Sequence, residues 1–231
     1  DVVRAAATWG VRAHCALSFT PGAAALAHFP QASTTIGYDQ VNLAHVEPLG
    51  EIRQVAVPEP HRYADAVRTA LAAIDAGEVA KVVLGRTLTV HAPGLRAEHL
   101  LAPLLRNRPG QYVFSQPLEG GEMLVGASPE LLVRREGLRV SAFPLAGSVP
   151  RSSDDAEDAA RGQRLLSSAK DLREHGYVVD AITAALEPYC EQVNFSRQPI
   201  LHRTDTLWHL ATPITAELRT TAGAPAGQGA G

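Results

Sequence analysis

Between His61 and Ala76 the chain has neither proline nor glycine, and Tyr63, Val67, Leu71 and Ile74 recur at helical spacing. That pattern predicts an amphipathic helix, with Gly77 as its stop. Next, AKVVLGRTLTV (80–90) reads as a strand of up to eleven residues. Period-two geometry sets Lys81, Val83, Gly85 and Thr87 on one side and Val82, Leu84, Arg86 and Leu88 on the other. Residues 99–109 predict a short helix. PGQYVFSQPL (109–118) and GEMLVGASPE (121–130) predict two more strands, the latter stopping at Pro129. LLVRREGLRVSAFPLAG (131–147) predicts a hairpin turning at Glu136 and Gly137. SVPRSSDDAEDAA (148–160) reads as a polar linker. A helical pattern then runs from Glu157 to Leu186, broken near Lys170 and closed by Pro188. Leu165 and Leu166 anchor its first half, and Val178, Ile182 and Leu186 line its second. TDTLWHLATPITAEL (204–218) returns to a β pattern around Trp208 and Leu210. Upstream of residue 58, AHCALSFT and GYDQVNLAHVEP read as short strands split by turns. The class is α+β, an antiparallel-rich sheet with helices packed on it.

Composition narrows the picture. The 231 residues carry a formal charge of −3, with 45% hydrophobic content, which suits one globular domain, or one and a half. There is no basic stripe, so a nucleic-acid partner is not expected; Arg134 and Arg135 look like a strand end. Cys15 and Cys190 are too few and too far apart for a disulfide scaffold or a zinc site and suit a reducing compartment. No run reaches the length of a membrane span, and the opening DVVRAAATWG has no cleavable apolar region. A cytoplasmic enzyme is the expectation. Both ends read as cut. The core is expected to end near Leu218, so that residues 1–218 form a partial catalytic domain and 219–231 a flexible Gly/Ala-rich tail.

Several residues carry candidate chemistry. Lys81 is either a solvated strand-edge lysine or a base whose proton affinity is lowered by partial burial. Glu130, just after Pro129, is a turn residue or a general acid aimed into a cleft. Glu174 sits three residues after Asp171, at capping-box spacing, and otherwise could help hold a hard cation such as Mg²⁺. Asp154, Asp155, Glu157 and Asp158 read as a solvated charge run. Gly147 marks a turn with positive φ or a close approach to a ligand, and Ser148 adds a hydroxyl and a backbone N–H. His209 is a core histidine or a donor to an anionic ligand. No dinucleotide fingerprint, P-loop, nucleophile elbow or zincin motif occurs.

Five segments in order carry a family resemblance: KVVLGR (81–86), GASPELLVRREG (126–137), PLAGSVPR (144–151), KDLREHGYVVD (170–180) and LWHLATPI (207–214). Together they resemble the chorismate-utilising enzymes, among them isochorismate, salicylate, anthranilate and aminodeoxychorismate synthases. The resemblance implies that Lys81 activates water for attack on C2 of chorismate, since ammonia-using members carry glutamine there. It implies that Glu130 assists loss of the C4 hydroxyl, and that Glu174 helps hold Mg²⁺. Gly147, Ser148 and His209 would bind the substrate. The implied activity is isochorismate synthase, serving menaquinone or siderophore biosynthesis. Salicylate synthase and a non-catalytic partner subunit are the alternatives. The family domain continues past LWHL with further substrate- and Mg²⁺-binding residues, so this stretch implies an incomplete sheet whose open edge invites homodimerisation.

Overall fold

The computed structural model describes residues 8–9, 12–20, 22–37, 41, 46–107 and 111–220. It divides into two compact units, Asp1–Pro109 with Val113–Ala127, and Gly110–Tyr112 with Ser128–Gly231. The expected tail lies almost wholly outside the described residues, as do most of GYDQVNLAHVEP and the first seven residues.

The first unit is made of ribbons and two helices. Strands β1 (His14–Ala16) and β2 (Leu26–His28) pair antiparallel, as do β3 (Arg53–Val57) and β4 (Thr87–His91). β5 (Tyr112–Pro117) pairs with β6 (Met123–Ser128). Helix α1 (Pro60–Asp75) starts on a proline, whose missing N–H costs nothing there. It ends with the Gly77 N–H on the Ile74 carbonyl and the Glu78 N–H on the Ala73 carbonyl, the paired bonds of a Schellman stop. Its half-buried face is Tyr63, Val67, Ala70 and Ala73, whereas Leu71 and Ile74, expected on that face, are exposed. Helix α2 spans Ala97–Asn107.

The strand expected over residues 80–90 is shorter. Only Thr87–His91 enters a ladder, and residues 81–86, Lys81 included, have no regular structure. The reason lies in the partner. Val57 opposite Thr87 is the last pair, and Pro58 follows with no N–H to continue the ladder.

The second unit holds the better-buried core. Its strands are β7 (Leu131–Glu136), β8 (Arg139–Phe143), β9 (Leu145–Pro150), β10 (Cys190–Asn194), β11 (Ile200–Arg203), β12 (Leu207–Ala211) and β13 (Ile214–Leu218). Two antiparallel sheets result, in the orders β10-β13-β8-β7 and β11-β12-β9. Two prolines direct the chain from one sheet to the other. Buried Pro144 separates β8 from β9, and Pro213 separates β12 from β13; neither can donate to a ladder. The sheets meet there through the Thr212 N–H on the Pro144 carbonyl. The hairpin turns at Gly137 as expected.

Helices α3 (Asp155–Ser167) and α4 (Ala169–Leu186) pack on β9 and β12. The break falls at Ser168, close to the expected position. α4 buries His175, Val179 and Thr183, a stripe one residue displaced from the expected Val178–Ile182–Leu186 line, whose members are half-buried beside it. Val179 joins Ala142 and Ile214, and Leu186 covers Val140, Cys190 and Ala216.

The expected polar linker over 148–160 is not one. β9 runs to Pro150 and α3 begins at Asp155, capped by the Asp154 carboxylate on the Glu157 N–H at 2.8 Å. Nor is the acidic run a solvated face throughout. Asp158 is 6% exposed and accepts from Arg151 Nε at 2.8 Å, the Ser152 N–H at 2.9 Å and Trp208 Nε1 at 3.0 Å. Arg151 also donates to the Thr204 carbonyl and lies over the Trp208 ring, 4.7 Å from its centroid. These donors, Arg151 foremost, hold the Asp158 carboxyl well below the usual range. Close packing completes the junction: a Cβ at Gly162 would meet Leu201 Cδ1 at 2.9 Å, so a larger residue there requires the Leu201 side chain to shift.

Candidate functional site

Strand β9 gathers most of the candidate residues. Glu130, half-buried between β6 and β7, accepts the Leu145 N–H at 3.2 Å on Oε1 and so is tied to the start of β9. Lys81 does not lie on a strand, contrary to expectation, and Glu130 sits just outside β6 and β7. Two residues along, Gly147 has φ +82°, and a Cβ there would meet Asp171 Cβ at 3.1 Å and Leu210 Cδ1 at 3.3 Å. The positive φ expected of this glycine is found, within strand β9, and its close neighbours are protein side chains, Asp171 in the first turn of α4 and Leu210 of β12. Gly147→Ala is expected to cost about 1–2 kcal/mol from the left-handed backbone alone, measured as a lower denaturant midpoint with an unchanged slope.

Ser148 stands opposite His209 in the β9–β12 ladder, and Ser148 Oγ lies 2.7 Å from His209 Nδ1. Burial, with His202 nearby, pushes the His209 imidazole below its ordinary pKa, so the ring is neutral at pH 7. When the serine hydroxyl donates to Nδ1, the ring proton resides on Nε2, making that nitrogen a fixed donor.

Glu174 is not a capping residue. Ser168 caps α4, accepting from the Asp171 N–H at 3.3 Å while its hydroxyl donates to the Asp171 carboxylate. The N-cap is thus three residues earlier than Asp171, because Ser168 ends α3 in extended geometry and starts α4. Glu174 is left half-buried, with Lys170 Nζ 3.0 Å away; the same ammonium lies 3.9 Å from Asp171. Glu174 foremost, then Asp171, raise the Lys170 pKa, against the opposing effect of desolvation. Among the described residues no group of three or more His, Cys, Asp or Glu is arranged around a metal position. Oxygen donors from two carboxylates nevertheless suit Mg²⁺, which keeps waters and takes further oxygens from substrates.

Lys81 is half-buried and belongs to the first unit, whereas the other candidates belong to the second. Sequence reasoning missed His175, 3% exposed, whose Nε2 lies 2.7 Å from Thr212 Oγ1. Burial lowers its pKa, opposed by the Ala146 backbone, so it ties α4 to the β12–β13 connection as a neutral ring. A cleft of about 540 Å³ is lined by Leu172, His175, Val179, Asp180, Arg197 and Thr212 among others. None of the candidate residues lines it, so the cleft gives no support to the expected site.

The family model for chorismate binding enzymes matches residues 12–224. The chain belongs to the chorismate-binding enzyme family. Isochorismate synthase DhbC of Bacillus subtilis (strain 168) is 44% identical to this chain over 169 residues, 70% of the chain and 42% of DhbC. The putative isochorismate synthase MenF of Mycobacterium tuberculosis (strain H37Rv) is 46% identical over 184 residues, 74% of the chain and 49% of MenF. Among solved structures, the putative 2,3-dihydroxybenzoate-specific isochorismate synthase DhbC from Bacillus anthracis is similar with a TM-score of 0.71 and 39% identity. The match covers 77% of this chain and 48% of that one. The chain thus spans about half the length of these relatives. Among the described residues, no helix is long and apolar enough to cross a membrane.

Proposed function

We propose that this chain supplies the Lys81, Glu130, Gly147–Ser148, His209 and Glu174 part of an isochorismate synthase, which converts chorismate to isochorismate. The observation that carries this reading is the cluster about β9, where Glu130, Gly147, Ser148 and His209 are fixed by one strand and its neighbours. Identities of 44% and 46% to proteins named isochorismate synthases support it.

The reaction adds water at C2 of the ring and expels the hydroxyl at C4. Lys81 takes a proton from the attacking water, and Glu130 gives a proton to the departing hydroxyl, which leaves as water. Atoms and charge balance, because the proton gained by the amine matches the one lost by the acid. His209, neutral and oriented by Ser148, donates to an oxygen of the substrate. Glu174, with Asp171 beside it, would hold Mg²⁺, which supplies positive charge to a substrate carboxylate when bound. The protein is proposed to work in the cytoplasm.

The test is product analysis after incubating chorismate and Mg²⁺ with this chain, alone and joined to the rest of a relative's length. Isochorismate is expected, and chelation of Mg²⁺ should stop its formation. Glu174→Gln is expected to raise the Mg²⁺ concentration needed for half-maximal rate by about 100-fold. Salicylate with pyruvate as the products, or no chorismate binding by either form, would overturn the assignment.

A further inference from the structure

The ladder β11–β12–β9 sets three polar side chains in one row. His202 stands directly opposite His209, and His209 directly opposite Ser148, so all three share a face. The alternate residues of these strands face the helices. Leu201 and Trp208 lie against Gly162 of α3, and Leu210 meets the same side of Gly147 as Asp171 of α4. The row is therefore on the face turned away from α3 and α4. Its two rings differ in burial. His209 is 9% exposed, whereas His202 is half-buried, with the Phe143 ring nearly perpendicular to it and 5.2 Å between centroids. They differ in bonding too. With Nε2 of His209 already bearing hydrogen, a second proton must enter at Nδ1, 2.7 Å from Ser148 Oγ, and end the donation from that hydroxyl. A positive charge is thus less costly on His202 than on His209.

Burial foremost, then the charge of His202, holds the His209 imidazole below its ordinary pKa. The charged and titratable groups of the adjoining elements are directed elsewhere. Arg203 stands opposite Trp208 and so shares the helix-side face. Arg151, bound to Asp158, lies over the Trp208 ring. His175 of α4 is bonded to Thr212. Glu130 is tied to Leu145, which pairs with Ala211 and not with His209. We propose that His202 is a positioning residue for His209: it accepts the proton that the row takes up in acid, and its charge keeps His209 neutral, with the Ser148 bond and the Nε2 donor intact. This role rests on the reading of His209 as a donor to the substrate, whereas the coupling of the two rings stands without it.

The experiment is an NMR titration of the 231-residue chain carrying isotope-labelled histidine, in which the ring nitrogens report the charge and tautomer of each imidazole. In the wild type, protonation is expected on His202 before His209. In the His202→Gln variant, His209 should bind its proton about threefold more tightly, a midpoint about 0.5 pH unit higher, as for two charges about 6 Å apart with the screening of water. His202→Lys, which keeps a charge at this position, should not raise the midpoint. The Nε2-bearing form of His209 should accordingly persist to lower pH in the wild type and the lysine variant than in the glutamine variant. Protonation of His209 before His202 in the wild type overturns the proposal, whether or not the variants fold. So does a His209 midpoint that glutamine leaves unmoved, or one that glutamine and lysine raise alike, as a merely structural part for His202 would give. These midpoints do not depend on turnover of chorismate, so the catalytic assignment and the ring coupling fail separately.

Discussion

Glu130→Gln, in protein carrying the whole family length, is expected to lower kcat for isochorismate formation by about 10²–10⁴-fold with little change in thermal stability. Geometry makes this variant informative. The Glu130 carboxylate accepts the Leu145 N–H through Oε1 at 3.2 Å, and a glutamine carbonyl oxygen can accept the same bond. The tether to β9 survives, and what disappears is the transferable proton. Lys81→Ala should show a loss of similar size, because the base and the acid act in one displacement. Glutamine at 81 removes the base in the same way, so Lys81→Gln should be as inactive in water addition as alanine. A separate readout distinguishes chemistry from binding: chorismate affinity, measured by calorimetry, should shift by less than about tenfold in each variant. Full activity of Glu130→Gln would remove the carboxyl from the proton-transfer scheme.

Asp158→Ala is expected to be the most destabilising single change in the second unit, lowering Tm by about 10 °C in a scanning experiment. The carboxylate receives Arg151, the Ser152 N–H and the Trp208 indole, so its removal leaves several half-buried donors without their acceptor. Arg151→Ala added to Asp158→Ala should recover part of the loss, since the stranded guanidinium is then gone. The pH dependence has a definite sign. The folded carboxyl is held below its unfolded value of about 3.9, so the stabilisation is fully present above that pH and declines as pH falls toward the folded pKa. The gap in Tm between wild type and Asp158→Ala should stay constant from about pH 5 to 8 and narrow below about pH 4. A gap that widens in acid would show that the pair is not what stabilises this junction.

What sequence made legible follows the range of the interactions involved. α1, α4 and the Gly137 hairpin are specified by residues a few positions apart, and each formed close to where its pattern placed it. β4 did not, because the length of a strand depends on its partner, and the partner's Pro58 is nearly thirty residues upstream of Thr87. The acidic run was misread for a related reason. Asp154-x-x-Glu157 has the spacing of a helix cap and could have been recognised. That Asp158 is buried depends on Arg151 and on Trp208, fifty residues away.

The sequence alone determined the family, the classes of element and the residue types available for acid, base and cation chemistry, because ordered motifs and local periodicity survive without coordinates. Only the tertiary structure decided which of those side chains share a neighbourhood. It placed Ser148 across from His209, tied Glu130 to β9, released Glu174 from the helix cap and turned one acid of a charged run into the anchor of α3. Such outcomes depend on strand register and on desolvation. Both are properties of segments brought together from far apart in the chain, and no window along the sequence contains them.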